Sequence, residues 1–239
     1  MKLITLHSVV KRFGQVLAVV NVSLDVANQE SLGLVGESGS GKTTLARLIL
    51  KLLESTAGEI IYHGIKNIRR DCQIVFQDPQ TSLNPRIKIG EALAEPLWIH
   101  KLLPQADFDT RVGELLELVQ LPRNYAKRFP HELSGGERQR VGIARALAVA
   151  PKFIILDEPV SSLDVSVQVG ILKLLKNLRR ELKLTYLFIA HDLSVIGYMC
   201  DRIAVMKDGK LVELGSRQEI LARPREPYTK RLLASTLQV

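Results

Sequence analysis

The segment that most limits the fold is Ser31 to Thr44, SLGLVGESGSGKTT. A short apolar run, Ser31 to Val35, ends at Gly36, and Gly36, Gly41, Lys42 and Thr43 then stand at the spacing GxxxxGK[ST]. Beyond Thr43, the residues Leu45, Leu48, Ile49, Leu52 and Leu53 recur at intervals of three and four, the pattern of a helix packing one face. Strand, glycine-rich turn and helix are the context in which such a loop wraps a phosphate. Glycines let backbone N–H groups turn inward without Cβ clashes, and the helix amino end adds partial positive charge. Within Gly36, Glu37, Ser38, Gly39, Ser40, Gly41, Lys42, Thr43 and Thr44, the spacing places the Lys42 ammonium to neutralise β- and γ-phosphates. The Thr43 hydroxyl is placed to hold Mg²⁺ and Thr44 to donate to a neighbouring phosphate. The bland alternative is a glycine-rich turn capped by Thr43.

The rest of the chain supplies the α/β frame such a loop needs. Apolar stretches at Leu3 to Val10 and Leu17 to Val26 predict amino-terminal strands. Phe153 to Leu156 predicts a buried strand, the stripe Ile171, Leu174, Leu175, Leu178 and Leu182 a helix, and Tyr186 to Ala190 a second buried strand. Strand, helix, strand implies a parallel sheet. Ile203 to Met206, a turn at Asp208 and Gly209, and Leu211 to Leu214 predict a hairpin, followed by a helix with a Ser216/Glu219 capping box. From about Pro79 to Ala150 the patterns are helical, with prolines at 85, 96, 104, 122 and 130, which predicts a helical insert.

With 239 residues and 46% apolar content, the chain is long enough for a large core. No apolar run approaches the roughly 20 residues of a membrane-spanning helix, and the amino end lacks a signal-like stretch, so a cytoplasmic location is expected. Cys72 and Cys200 belong to no metal-ligating or disulfide pattern and are expected to be buried free thiols. The net charge of +8 permits a nucleic acid, anionic lipid or phosphorylated ligand without choosing among them.

Two further segments carry chemistry. Asp157 and Glu158 follow FIIL directly, at the carboxyl end of a predicted strand where α/β sheets place ligands. Asp157 suits the orientation of Mg²⁺ or its water, and Glu158, pointing the other way, suits acceptance of a proton from an attacking water. Alternatively, both cap the turn at Pro159. Ser134, Gly135, Gly136 and Glu137, in LSGGERQR, open a predicted helix whose free N–H groups and dipole suit an anion, or for which Ser134 is an ordinary cap.

These segments occur in one order with Gln77 in VFQDP, SSLD at Ser161 to Asp164, and His191 in IAHD. Together they resemble the ATPase subunit of an ATP-binding cassette (ABC) transporter over essentially the whole chain. The resemblance implies an α/β, P-loop NTPase (RecA-like) core with an antiparallel β-subdomain, residues 1–78 and 151–239, and an inserted helical subdomain at 79–150. It implies ATP and Mg²⁺ as cofactors, the metal held by Thr43, Gln77 and Asp157. Phe13 is similar to the aromatic that stacks on adenine, where the family more often has Tyr; a core Phe is the alternative. Gln77 resembles the Q-loop glutamine that senses Mg²⁺ and the γ-phosphate, and His191 the switch histidine that positions Glu158 and the water. Ser134, Gly135, Gly136 and Glu137 resemble the signature that reaches ATP on a partner subunit, and Asp164 the aspartate at the dimer seam. Segments around Gln77 to Leu103 are implied to receive a permease helix.

VFQDPQTSLNPRIKIGEALAEPL, EPVSSLDVSVQ and PREPYTKRLL are similar to the dipeptide, oligopeptide and nickel importer branch. That branch implies a second ATPase chain, a paralogue or this chain itself, two permeases and an extracytoplasmic solute-binding protein. It also implies a peripheral place on the cytoplasmic face of the membrane, with no nucleic-acid partner. The short connection Ile65 to Val75 and the end soon after PYTKRLL are expected to suit metal or metallophore importers at least as well as peptide importers. The competing class is a soluble ABC ATPase acting in a nucleic-acid process; the 55 residues between Gln77 and Leu133 leave no room for the coiled coil such proteins insert. A non-catalytic nucleotide-binding module conflicts with the presence of Glu158 and His191.

Overall fold

The computed structural model describes residues 1–77 and 83–236. β1 (Lys2–Phe13) and β2 (Val16–Ala27) pair antiparallel, β3 (Ser31–Val35) leaves for a second sheet, and β4 (Ala57–Tyr62) returns to the free edge of β1, giving the order β2-β1-β4. The second sheet has the order β5-β6-β7-β3-β8-β9, with β5 (Cys72–Val75), β6 (Phe153–Asp157), β7 (Thr185–Ile189), β3 and β8 (Arg202–Lys207) parallel. β9 (Lys210–Ser216) closes the edge antiparallel to β8.

The continuous apolar runs follow from burial on both faces, as a covered parallel sheet demands. Alternate side chains point to opposite sides. Thus Phe153 and Ile155 join a core shared with the amino-terminal sheet, while Ile154 and Leu156 join a larger core beneath the helical insert. Leu187 and Ile189 divide in the same way from Tyr186 and Phe188, and Ala204 and Met206 from Ile203 and Val205.

The helices are α1 (Lys42–Ile49), α2 (Ile68–Asp71), α3 (Ile89–Ile99), α4 (Phe108–Leu118), α5 (Gly135–Leu147), α6 (Val165–Leu182), α7 (Leu193–Met199), α8 (Arg217–Ala222) and α9 (Pro227–Thr236). α3, α4 and α5 form the helical region, and Pro104, Pro122 and Pro130 open its short 3₁₀ turns, where a fixed φ suits the first turn. The expected start of that region at Pro79 falls outside the described residues. Among them, no helix is long and apolar enough to cross a membrane.

One local expectation fails. The apolar spacing carried the first helix through Leu52 and Leu53, yet α1 ends at Ile49. Lys51 takes the left-handed conformation with φ 50°, its N–H donates to Leu48 O, and the Leu52 N–H donates back to Arg47 O, a Schellman closure. Leu52 is left exposed. The hairpin at Asp208 and Gly209 forms as expected, both residues having the positive φ of a tight primed turn. The Ser216/Glu219 capping box is also present. Cys72 and Cys200 are free and buried, and burial pushes both thiols up to about 12.

Candidate active site

Parallel strands deliver their following loops to one edge of a sheet, and four of them converge here. β3 leads into Gly36, β5 into Phe76 and Gln77, β6 ends on Asp157 before Glu158, and β7 leads through Ala190 to His191. Residues separated by up to 155 positions therefore meet without any of them needing a long arm.

The phosphate loop is closed tightly enough to exclude side chains at two of its glycines. A Cβ at Gly36 would lie 2.2 Å from Met206 O, and one at Gly41 would lie 2.4 Å from Ala18 O; both glycines have positive φ. Lys42 is almost fully buried, and its ammonium donates to Gly36 O and Glu37 O, both at 2.8 Å. Burial pushes its pKa down against the pull of Glu158, Asp157 and Glu37. A desolvated cation among carboxylates, under a helix end with no side-chain cap, fits a polyphosphate.

Asp157 is buried, which pushes its carboxyl up; a hydrogen bond from the Thr43 hydroxyl opposes this. One hydroxyl and one carboxylate form the oxygen donor set that Mg²⁺ uses when phosphates and water complete its shell. Glu158 sits in the left-handed region, φ 49°, and its N–H donates to Ile189 O at 2.9 Å. A residue held there against its preference is pinned by its surroundings. The Glu158 carboxylate accepts a bond from Gln77 Nε2 at 3.1 Å, and His191 Nδ1 lies 3.3 Å from the same oxygen. Its side chain retains 20% exposure. A cavity of about 70 Å³ opens beside it, lined by Ser161, Gln168, His191 and Asp192, with room for ordered water.

The other residues singled out in the sequence lie apart from this cluster. Ser134 caps α5: its hydroxyl accepts the Glu137 N–H at 3.3 Å, while Glu137 accepts the Ser134 N–H at 2.8 Å. A Cβ at Gly135 would approach Leu163 and one at Gly136 would strike Val167, so this helix end packs on the segment that follows Glu158. Among the described residues no hydrogen bond joins Ser134 to Glu137 with the phosphate loop. Asp164 precedes α6 and is exposed, without a side-chain cap bond. Phe13, at the tip of the β1–β2 hairpin, is 46% exposed with the Lys11 ammonium over its ring, which removes the core alternative.

A model of the ABC transporter family matches residues 19–161, more than half of the chain. The chain belongs to the ABC transporter family. This ABC ATPase is 52% identical over 232 residues to the oligopeptide transport ATP-binding protein OppF of Streptococcus mutans, covering 92% of this chain and 75% of the relative. The dipeptide transport ATP-binding protein DppF of Lactococcus lactis is 49% identical over 231 residues, covering 91% of this chain and 74% of the relative. Among solved structures, CbiO1 from Clostridium perfringens, part of the transporter complex CbiONQ, aligns with TM-score 0.84 and 26% identity over 93% of this chain and 91% of that one. The ATP-binding cassette MJ0796, in a dimeric post-hydrolysis state with ADP and Pi, aligns with TM-score 0.79 and 33% identity over 90% and 98%. The fold is thus that of the P-loop ATPases with α/β core expected from the sequence, and the chain is an ATP hydrolase of the ABC class.

Three residues that bond to the site or to the α5 cap escaped the sequence reading of individual roles. Ser161 accepts from Gln77 Nε2 at 3.3 Å and donates to Glu158 O at 3.2 Å. Tyr125 donates to Glu137 at 2.7 Å. Tyr228 accepts the Glu37 N–H at 3.1 Å. Ser161 and Tyr228 lie inside quoted motifs, SSLD and PREPYTKRLL, so position was visible while contact was not.

Proposed function

We propose that this chain is the ATP-hydrolysing subunit of an importer that takes up peptides through two partner permeases, working with a second ATPase chain and an extracytoplasmic binding protein. The observation that carries the catalytic half is the convergence on one oxygen of Glu158, to which Gln77 Nε2 donates at 3.1 Å and beside which His191 Nδ1 lies at 3.3 Å. In this reading Glu158 accepts the proton of the attacking water, His191 and Gln77 orient its carboxylate, and Lys42 with residues 36–44 binds the phosphates. Thr43, Asp157 and Gln77 would hold Mg²⁺, which would supply charge neutralisation on the phosphates. Phe13 offers its exposed ring to adenine. The Ser134 hydroxyl keeps its proton to donate, and the Gly135 and Gly136 N–H groups are not used by the cap, so the three face ATP on a partner subunit with Asp164 at the seam.

The transport half rests on the peptide-transport names of relatives near 50% identity and on the surface between the sheet and the helical region. There a cavity of about 280 Å³ is lined by the exposed Phe76 and Ile99 together with charged groups, Arg69, Glu95 and Arg145, and Trp98, next to Ile99 in the chain, is 70% exposed. Exposed aromatic and aliphatic side chains around a cleft fit an inserted helix. Residues 1–78 and 151–239 then serve as the nucleotide-binding core and 79–150 as the helical subdomain, at the cytoplasmic face of the membrane.

The test is co-expression with the neighbouring permease, ATPase and binding-protein genes and reconstitution of the recovered complex. Peptide-loaded binding protein is expected to stimulate phosphate release. Recovery of the chain without permeases, hydrolysing ATP at a rate no loaded binding protein changes, contradicts the transport reading.

A further inference from the structure

The carboxy-terminal helix reaches the phosphate loop. Glu213 on β9 accepts the N–H groups of Arg225 at 2.7 Å and Glu226 at 3.3 Å, fixing the chain just before α9. Leu232 and Leu233 pack against the large core. This places Tyr228 with its ring buried, the Lys207 ammonium 5.3 Å from the ring centroid, and its hydroxyl 3.1 Å from the Glu37 nitrogen.

The amide it holds is the one that presents Lys42 with an acceptor. Gly36 C=O and Glu37 N–H belong to a single peptide unit, and in a trans peptide the two point in opposite directions. Lys42 donates to the carbonyl from one side at 2.8 Å, and Tyr228 accepts from the N–H on the other. On a third side Met206 O stands where a Gly36 side chain would lie. The plane of this peptide is therefore set by one bond at each end within a slot closed by β8. Glu37 O, the next carbonyl, is the second acceptor of the same ammonium.

We propose that Tyr228 is a positioning residue for nucleotide binding: its hydroxyl fixes the Gly36–Glu37 peptide, and so the placement of Lys42 and the entrance of the phosphate loop. The inference rests on the reading of residues 36–44 as the phosphate site. A loop already in one conformation loses less freedom when a ligand binds. Releasing the Glu37 N–H lets the peptide rotate, and part of the binding free energy is then spent in ordering it again.

Tyr228→Phe removes the hydroxyl and keeps the ring beside Lys207 and in the core. In the full chain, the Kd for MgATP is expected to rise about fivefold, the size of one neutral hydrogen bond, and hydrogen exchange at the Glu37 amide to accelerate. Lys42→Ala, measured alongside, separates the proposal from the reading beneath it. Tyr228→Phe binding MgATP within twofold of the native chain, while Lys42→Ala has lost binding, overturns the role of Tyr228 and leaves the phosphate site standing. Native affinity in both variants overturns the phosphate site, and the proposal with it.

Discussion

Two helix amino ends in this molecule carry glycines and offer N–H groups to an anion, and they are finished in opposite ways. α1 opens at Gly41, which has φ 100° and no side chain to cap the first turn. α5 opens at Ser134, whose hydroxyl and N–H are both engaged by Glu137 in a capping box, with Glu137 itself held by Tyr125. The first turn of α1 has no side-chain cap, whereas at α5 the chain itself caps one amide, the Glu137 N–H, and leaves the Gly135 and Gly136 N–H groups outside the cap. The two ends divide the labour. On the proposed function, the α1 end binds nucleotide in its own subunit, and the α5 end keeps its shape and faces a partner's nucleotide.

The largest effect is expected at Lys42. Lys42→Ala removes the buried cation proposed to meet the phosphates, and the Kd for MgATP is expected to rise about 100-fold, the scale of one or two charge-assisted hydrogen bonds; equilibrium binding to the purified chain measures it. Ser134→Ala should act on the fold instead. Loss of the cap costs about 1 kcal/mol, lowering Tm by about 3 °C in a chain of this size, while calorimetry finds MgATP affinity of the isolated chain within twofold of native. A large loss of affinity in that variant would erase the distinction between the two helix ends.

A smaller effect should appear with pH. The Ser134 N–H and the Tyr125 hydroxyl hold the Glu137 carboxyl below its usual range. Its stabilisation of α5 is therefore complete above about pH 4.3, the ordinary glutamate value, and is lost as pH falls through the lower folded pKa. Thermal melts between pH 5 and 3 should show a steeper fall in Tm for the native chain than for Glu137→Gln, which does not titrate. Identical slopes would detach Glu137 from the cap.

What was legible in the sequence was whatever a local pattern encodes. Four of the five parallel strands announced themselves as apolar runs because both their faces are buried, β5 being too short and only half-buried to do so, and the phosphate loop did so because its glycines and lysine fall within seven residues. The cap at Ser134 was equally readable, three residues from its glutamate. Contacts between distant segments were not. Tyr228 and Glu37 are 191 positions apart, and nothing in either segment reports that β9 and the core steer one onto the other. The early end of α1 was hidden for a different reason: Lys51 adopts a conformation that glycine usually marks, so the apolar spacing ran on past the helix it described.

The proposed function turns on Glu158, bonded by Gln77 with His191 beside it, as the base for ATP hydrolysis. Its most direct test is phosphate release by Glu158→Gln at saturating MgATP, together with the nucleotide it retains. Turnover is expected to fall by at least about 100-fold, the lower end of what a positioned general base contributes, with ATP bound as tightly as in the native chain and recovered unhydrolysed. Native turnover in Glu158→Gln would contradict it.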